Sequence, residues 1–268
     1  MPIITATPQI ASSNTGNLRH WVKSFIFGPP EPIATSERDD PQKSASLLSR
    51  LPFEIREQIW SDYLHTSTTK LVHIKAYGKS GRDCIAKECQ SFHPNAHLNC
   101  HWSKDARHNR LNLLLTCRRI YFECAPLLYR TTLFDFDTLY TASNLRKRIP
   151  ACHFANISKV NVNVCALARD FYKPADGSFN SGHKYQWALL WETLAAMDNL
   201  RWLRFELLLY NYEQTVDTWT AKLDRLLMPV KLVTRPAHFE LILPFGIGKW
   251  AQELPCQVTR SEAKSVVT

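Results

Sequence analysis

The chain has 268 residues, 45% of them apolar and 21% charged, a balance that excludes wholesale disorder, collagen-like repeats and a coiled coil. Its net charge is +9 with histidine neutral, and the excess sits in residues 47–150, which carry 16 Lys and Arg against 9 Asp and Glu. Glycine is scarce at 8 residues, and loops that cradle phosphate need it for close backbone approach. No G-x-x-x-x-G-K-[ST] and no G-x-G-x-x-G occurs; Gly246-Ile247-Gly248-Lys249 lacks the third glycine and the spacing. G-x-S-x-G and H-E-x-x-H are absent too. Nucleotide hydrolysis, dinucleotide chemistry and the common serine-hydrolase and zinc-protease mechanisms therefore lose their support. No apolar run approaches the roughly 18 residues of a membrane span, and the first residues lack the basic-then-apolar pattern of a secretory signal. The expectation is an intracellular protein, cytoplasmic or nuclear, with no membrane partner.

Residues 1–43 hold six of the fifteen prolines and read as a disordered tail, interrupted by an apolar patch at Trp21–Phe27. From residue 47 the pattern changes. Leu47, Leu51, Ile55 and Ile59 recur every four residues, joined by Leu48, Trp60, Tyr63 and Leu64, which predicts an amphipathic helix over about Pro52–His65. Pro52 suits its first turn, and Glu54 and Glu57 suit the positive end of its dipole. Lys70–Tyr77 reads as a short strand, residues 78–110 as a polar stretch without periodicity, and Leu113–Tyr129 as a second helix. Thr132–Phe136 follows as a strand that turns Asp135 and Asp137 to solvent. Lys159–Val164, Trp202–Tyr210 and His238–Leu243 are strands, alternating with helices over Lys184–Met197 and Asp217–Met228. Strands alternating with helices predict parallel pairing through crossovers, and the roughly forty-residue spacing is compatible with a short, degenerate solenoid. From about Pro255 the chain reads as a polar tail.

The segment Leu47–Leu64, LLSRLPFEIREQIWSDYL, resembles the first helix of the F-box family through Leu51-Pro52, Glu54-Ile55, Ile59 and Tyr63-Leu64. With Leu113–Tyr129, LLLTCRRIYFECAPLLY, and Arg130–Phe136, RTTLFDF, the chain is similar to the large group of fungal F-box-like proteins. These pair an LP-x-E-I-R helix with an L-x-x-T-C-R-x-I-Y-x-E-x-x-P-L-L-Y helix and then an aromatic strand. The resemblance implies an α+β fold, with F-box-like helices packed on a mixed sheet and a repeat-like strand–helix–strand C-terminal half. It divides the chain into an F-box-like domain at 44–165, an extension of the same globule at 166–254 and a flexible tail at 255–268. It also implies interaction rather than catalysis: an adaptor subunit of a cullin–RING ubiquitin ligase as partner, substrate recruitment by the C-terminal region, and Leu51, Pro52, Ile55, Ile59 and Tyr63 as the partner-binding residues. One departure stands out. Some 48 residues separate Leu64 from Leu113, which favours the plainer reading that the two helices only form core within the domain.

Three of eight cysteines and four of ten histidines fall between residues 84 and 108. Zinc takes four thiolate or imidazole ligands, and Cys84, Cys89, His97 and Cys100 form the candidate set, with His93 as substitute. The spacing is not the C-x2-C pair of pairs, so the preferred reading is a polar insertion without a cofactor. The basic central region offers the alternative function, a nucleic-acid module built on Lys104, Arg107, Arg110, Arg118 and Arg119 with Trp102 and Tyr121. No nucleophile–base set is visible, and an enzyme is not expected.

Overall fold

A computed structural model describes residues 48, 50–66, 71–77, 83–89, 113–167, 181–210 and 223–260. The tail at 1–43, the Trp21–Phe27 patch and residues 261–268 lie outside them. Seven segments form one sheet: β1 (Leu71–Tyr77), β2 (Asp83–Cys89), β3 (Leu133–Phe136), β4 (Lys159–Leu167), β5 (Trp202–Tyr210), β6 (His238–Leu243) and β7 (Gln257–Arg260). Their spatial order is β2-β1-β3-β4-β5-β6-β7. β2 pairs antiparallel with β1, and every other neighbouring pair is parallel. From β1 and β3 onward each parallel strand lies beside its predecessor in sequence, the order of a solenoid.

The connecting elements are α1 (Phe53–Thr66), which precedes the sheet, then α2 (Arg118–Thr131), α3 (Leu139–Ser143), α4 (Leu145–Arg148), α5 (Ala151–Phe154), α6 (Ser181–Ala195) and α7 (Leu223–Leu227), with 3-10 turns at Met228–Leu232 and Gly248–Gln252. Parallel strands added in one direction by crossovers of one hand carry those crossovers on one face. The pleat then sorts the side chains. The registered rows Val72–Phe134–Val160–Leu203–Phe239 and Ile74–Phe136–Val162–Phe205–Leu241–Val258 face the helices. They share one core with Trp187, Leu190, Trp191 and Leu194 of α6 and with Leu226, Leu227 and Val230. Residues four apart on α6 bring Trp187 and Trp191 onto the same face. Their rings pack on Phe205 with centroids 5.3 and 5.0 Å away.

A second, smaller core joins α1 to α2 through Leu48, Trp60, Leu64, Leu114, Cys124, Ala125 and Leu127. α2 bridges the two cores, because its Tyr129 belongs to the larger one. The expected α+β class is present, with α1 and α2 packed together beside a mixed sheet.

Four sequence expectations change. The second helix starts at Arg118 rather than Leu113, because Cys117 is extended and its thiol caps the Ile120 amide. The polar stretch after Tyr77 contains β2, whose hydrogen bonds to β1 supply the order that periodicity does not show. The helix expected at Asp217–Met228 appears as α7 followed by a 3-10 turn with Pro229 in its first turn, while residues 211–222 lie outside the described set. Finally, Gln257–Arg260 pairs with β6 instead of ending in a tail. The Gly246–Lys249 segment serves this last connection: Gly248, at φ +52°, takes the left-handed turn at the head of the 3-10 turn.

Trp191 is fully buried, and its indole N–H has no hydrogen-bond partner. Trp191→Ala should lower unfolding free energy by about 3–5 kcal/mol. Trp191→Phe should cost clearly less, since it keeps the ring contacts and removes an unsatisfied donor. Urea unfolding of both variants checks the order.

Candidate interaction surface

Pro52 starts α1, with its carbonyl accepting the Arg56 amide at 3.1 Å. The helix is then fixed by a charge cluster that joins α1 to α2. Arg56 donates from Nε and Nη2 to Glu123 of α2 at 3.0 and 2.7 Å, and from Nη1 to the Leu51 carbonyl at 2.6 Å. Trp60 Nε1 and Arg119 Nε also donate to Glu123, at 3.0 and 3.2 Å. Burial alone would raise the Glu123 carboxyl, but the hydrogen bonds from Arg56, Trp60 and Arg119 outweigh it and hold it below the usual carboxylate range. The hydrogen bond to Glu123 likewise raises the Arg56 guanidinium further above its ordinary value.

With Leu48, Arg56, Trp60 and Leu64 turned to α2, the other apolar stripe of α1 is left at the surface. Ile55, Ile59 and Tyr63 are 49%, 38% and 43% exposed, beside Phe53 at 49%. Pro52 is exposed and Leu51 half-buried. The helix carries two stripes: the one through Ile55, Ile59 and Tyr63 faces out, and the one through Leu48, Trp60 and Leu64 forms core with α2.

Of the zinc candidates, only Cys84 and Cys89 lie among the described residues. Cys84 and Cys89 stand at opposite ends of β2, aligned with Ala76 and Leu71 of β1. Five residues of strand span about 17 Å, and zinc–sulfur bonds are about 2.3 Å, so one ion cannot bind both while β2 is intact. His93, His97 and Cys100 lie outside the described residues. Among the described residues no group of three or more His, Cys, Asp or Glu is placed to hold a metal ion. Of the nucleic-acid candidates, Trp102, Lys104, Arg107 and Arg110 also lie outside. Arg119 is engaged by Glu123, and Arg118 lies over the Phe122 ring, 5.9 Å from its centroid.

The sequence also hides a polar ladder on the sheet face opposite the helices. Asp135, expected at the solvent, is only 3% exposed. His73 Nδ1 lies 2.5 Å from its Oδ2, and Asn161 and Asn163 donate to its Oδ1 at 2.6 and 3.0 Å. Arg204 donates to the Asn163 carbonyl oxygen at 3.1 Å and to Glu206 at 2.8 Å, and its Nε lies 3.5 Å from Glu240. Thr259 donates to Glu240 at 3.4 Å. The chain of contacts crosses six strands in register. The signal was present as NVNV, VHI and FDF, where polar residues alternate with core ones.

A third polar site lies where α2 meets α5. Tyr121 and His153 share a hydrogen bond between Oη and Nε2. Tyr129 stacks on the His153 ring with centroids 4.9 Å apart. Burial holds this imidazole below its ordinary value and pushes the Tyr121 phenol up to about 12.

A family model described as a domain of unknown function, DUF7730, matches residues 40–262. The chain belongs to the DUF7730 family. No curated protein and no solved structure matches it. The DUF7730 match encloses α1, α2 and the seven strands of the described residues, so the exposed stripe, the ladder and the tyrosine–histidine site fall within one family unit. Among the described residues, no helix is long and apolar enough to cross a membrane.

A buried neutral histidine gives this DUF7730 chain a signed pH dependence. The unfolded chain takes up its proton near pH 6.5 and the folded one only at lower pH, so stability present above 6.5 is lost as pH falls toward the folded value. His153→Phe should flatten that part of the profile. Urea midpoints from pH 7.5 to 5 should fall more steeply for the parent chain than for the variant, and parallel curves would show that His153 is not the titrating group.

Proposed function

We propose that the chain is a non-enzymatic F-box-like interaction protein that presents α1 to the adaptor subunit of a cullin–RING ubiquitin ligase. The observation that carries this reading is the outward stripe of Phe53, Ile55, Ile59 and Tyr63 on a helix already anchored by its opposite side. Large apolar and aromatic side chains grouped on one surface have the composition of an interface centre. The Arg56–Glu123 cluster holds that surface rigid, which limits the ordering cost of binding. The sheet module, joined to α1 through α2, is then the part that recruits a substrate, as the F-box-like resemblance implies.

Ile55 and Ile59 are surface residues in the free chain, so Ile55→Asp with Ile59→Asp should leave folding intact, within about 0.5 kcal/mol per site. Co-purification with the ligase adaptor should drop at least tenfold. Trp60→Ala, on the inward face, should instead cost about 3–5 kcal/mol in stability. Adaptor retained by the double variant, or no adaptor bound by the parent chain, rejects the proposal.

A further inference from the structure

The parallel strands begin along one rim, and there the sheet gathers cations that the adaptor surface does not use. Ser158 is the hub. Its hydroxyl donates to the Arg130 carbonyl at 2.5 Å, and its own carbonyl accepts the amides of Arg201 and Trp202 at 2.9 and 3.0 Å. Lys159 is the next residue. Three basic residues from three separate elements are thus held around one backbone position. All three are exposed, and among the described residues their side chains have no ion pair or hydrogen bond. The acidic residue nearest Arg201 in sequence, Asp198, faces Arg235 instead, at 3.5 Å.

Beside the cations lies a stacked pair of aromatic rings. Lys159, Trp202 and His238 are register partners on β4, β5 and β6, so the row spans about 10 Å. Trp202 and His238 stack with centroids 5.5 Å apart and planes 8° from parallel. His238 is exposed and Trp202 half-buried.

We infer that this rim binds single-stranded nucleic acid, with Arg130, Lys159 and Arg201 on successive phosphates and a base stacked against the Trp202–His238 pair. Cations alone would suit any polyanion. The adjoining ring platform selects a ligand whose phosphates alternate with planar groups, which is how sequence-tolerant single-strand sites are built. Two of its three cations, Lys159 and Arg201, lie outside the basic central region, and the site stands whether or not α1 binds a ligase adaptor.

The test is fluorescence anisotropy of the full chain with a labelled twelve-nucleotide oligouridine. A dissociation constant in the micromolar range at low salt is expected, with a log–log salt slope of about −2 for three phosphate contacts on a single strand. Lys159→Ser with Arg201→Ser should weaken binding at least tenfold and make the slope shallower by about 1.4. Arg130→Ser alone should weaken it measurably, and Trp202→Leu should weaken it while leaving the salt slope unchanged. Arg225→Ser with Lys249→Ser removes two exposed cations of the crossover layer and should change affinity less than twofold. Equal losses from both double variants would reduce the effect to net charge and overturn the site. No binding by the parent chain, or a phosphoserine peptide binding as tightly as the oligonucleotide, would overturn it as well. Thermal melts identify any variant that has lost its fold, and the single variant Arg130→Ser then decides in its place.

Discussion

A sheet whose parallel strands are laid down in sequence order places its crossovers on one face, and that constraint organises the rest of this molecule. The helix-facing rows can then be uniformly apolar, and they are, from Val72 and Ile74 through Phe239 and Leu241. On the opposite face the polar residues Asp135, Asn161 and Glu206 are buried. Buried polar groups are costly unless they satisfy one another. Register solves this, because it sets His73, Asp135, Asn161, Arg204 and Glu240 side by side across consecutive strands. Donor and acceptor alternate along the row, so the pairing that aligns the strands also neutralises the charges it buries.

The same logic of mutual satisfaction joins the helical pair to the sheet. Glu123 sits in an apolar helix where an unpaired carboxylate would be strongly destabilising. Arg56, Trp60 and Arg119 converge on it, and two of those three donors come from α1. The charged letters of the two motif segments are therefore two halves of one contact. α2 passes the consequence on, because Tyr129 and Tyr121 grip His153 at the border of the larger core. The orientation of the exposed stripe thus depends on contacts made on the other side of its own helix.

Much of this was legible in the sequence where one residue type had one role. KVNVNV announces a strand, and the tryptophans four apart on α6 announce a buried helix face. The apolar periods within Leu47–Leu64 and Leu113–Tyr129 announce the two helices α1 and α2. Two things were not legible. A four-residue period shows that α1 has an apolar stripe but not which of two neighbouring stripes meets the protein, since that depends on where Glu123 lies. Alternation likewise shows that Asp135 and Asn161 share a face but not that they touch. Contact between strands 26 residues apart is a matter of register, and register is set by the whole sheet. Within the cysteine and histidine window, closeness in sequence is lost once Cys84 and Cys89 are drawn out along a strand.

The lengths of the strands carry a last consequence. β4 and β5 have nine residues each, flanked by strands of four and six, and β7 at one edge has four. In a stack where each strand touches only its neighbours, cohesion is a sum of local interfaces rather than one indivisible whole. The widest interface, β4 with β5, registers nine residue pairs, and β7 holds to β6 by only four. Opening therefore begins at the β7 margin and proceeds inward, and amide protons of β4 and β5 exchange last. A short border strand ending in arginine also offers little template to a second chain, which protects the open side of the stack from growing into a fibre.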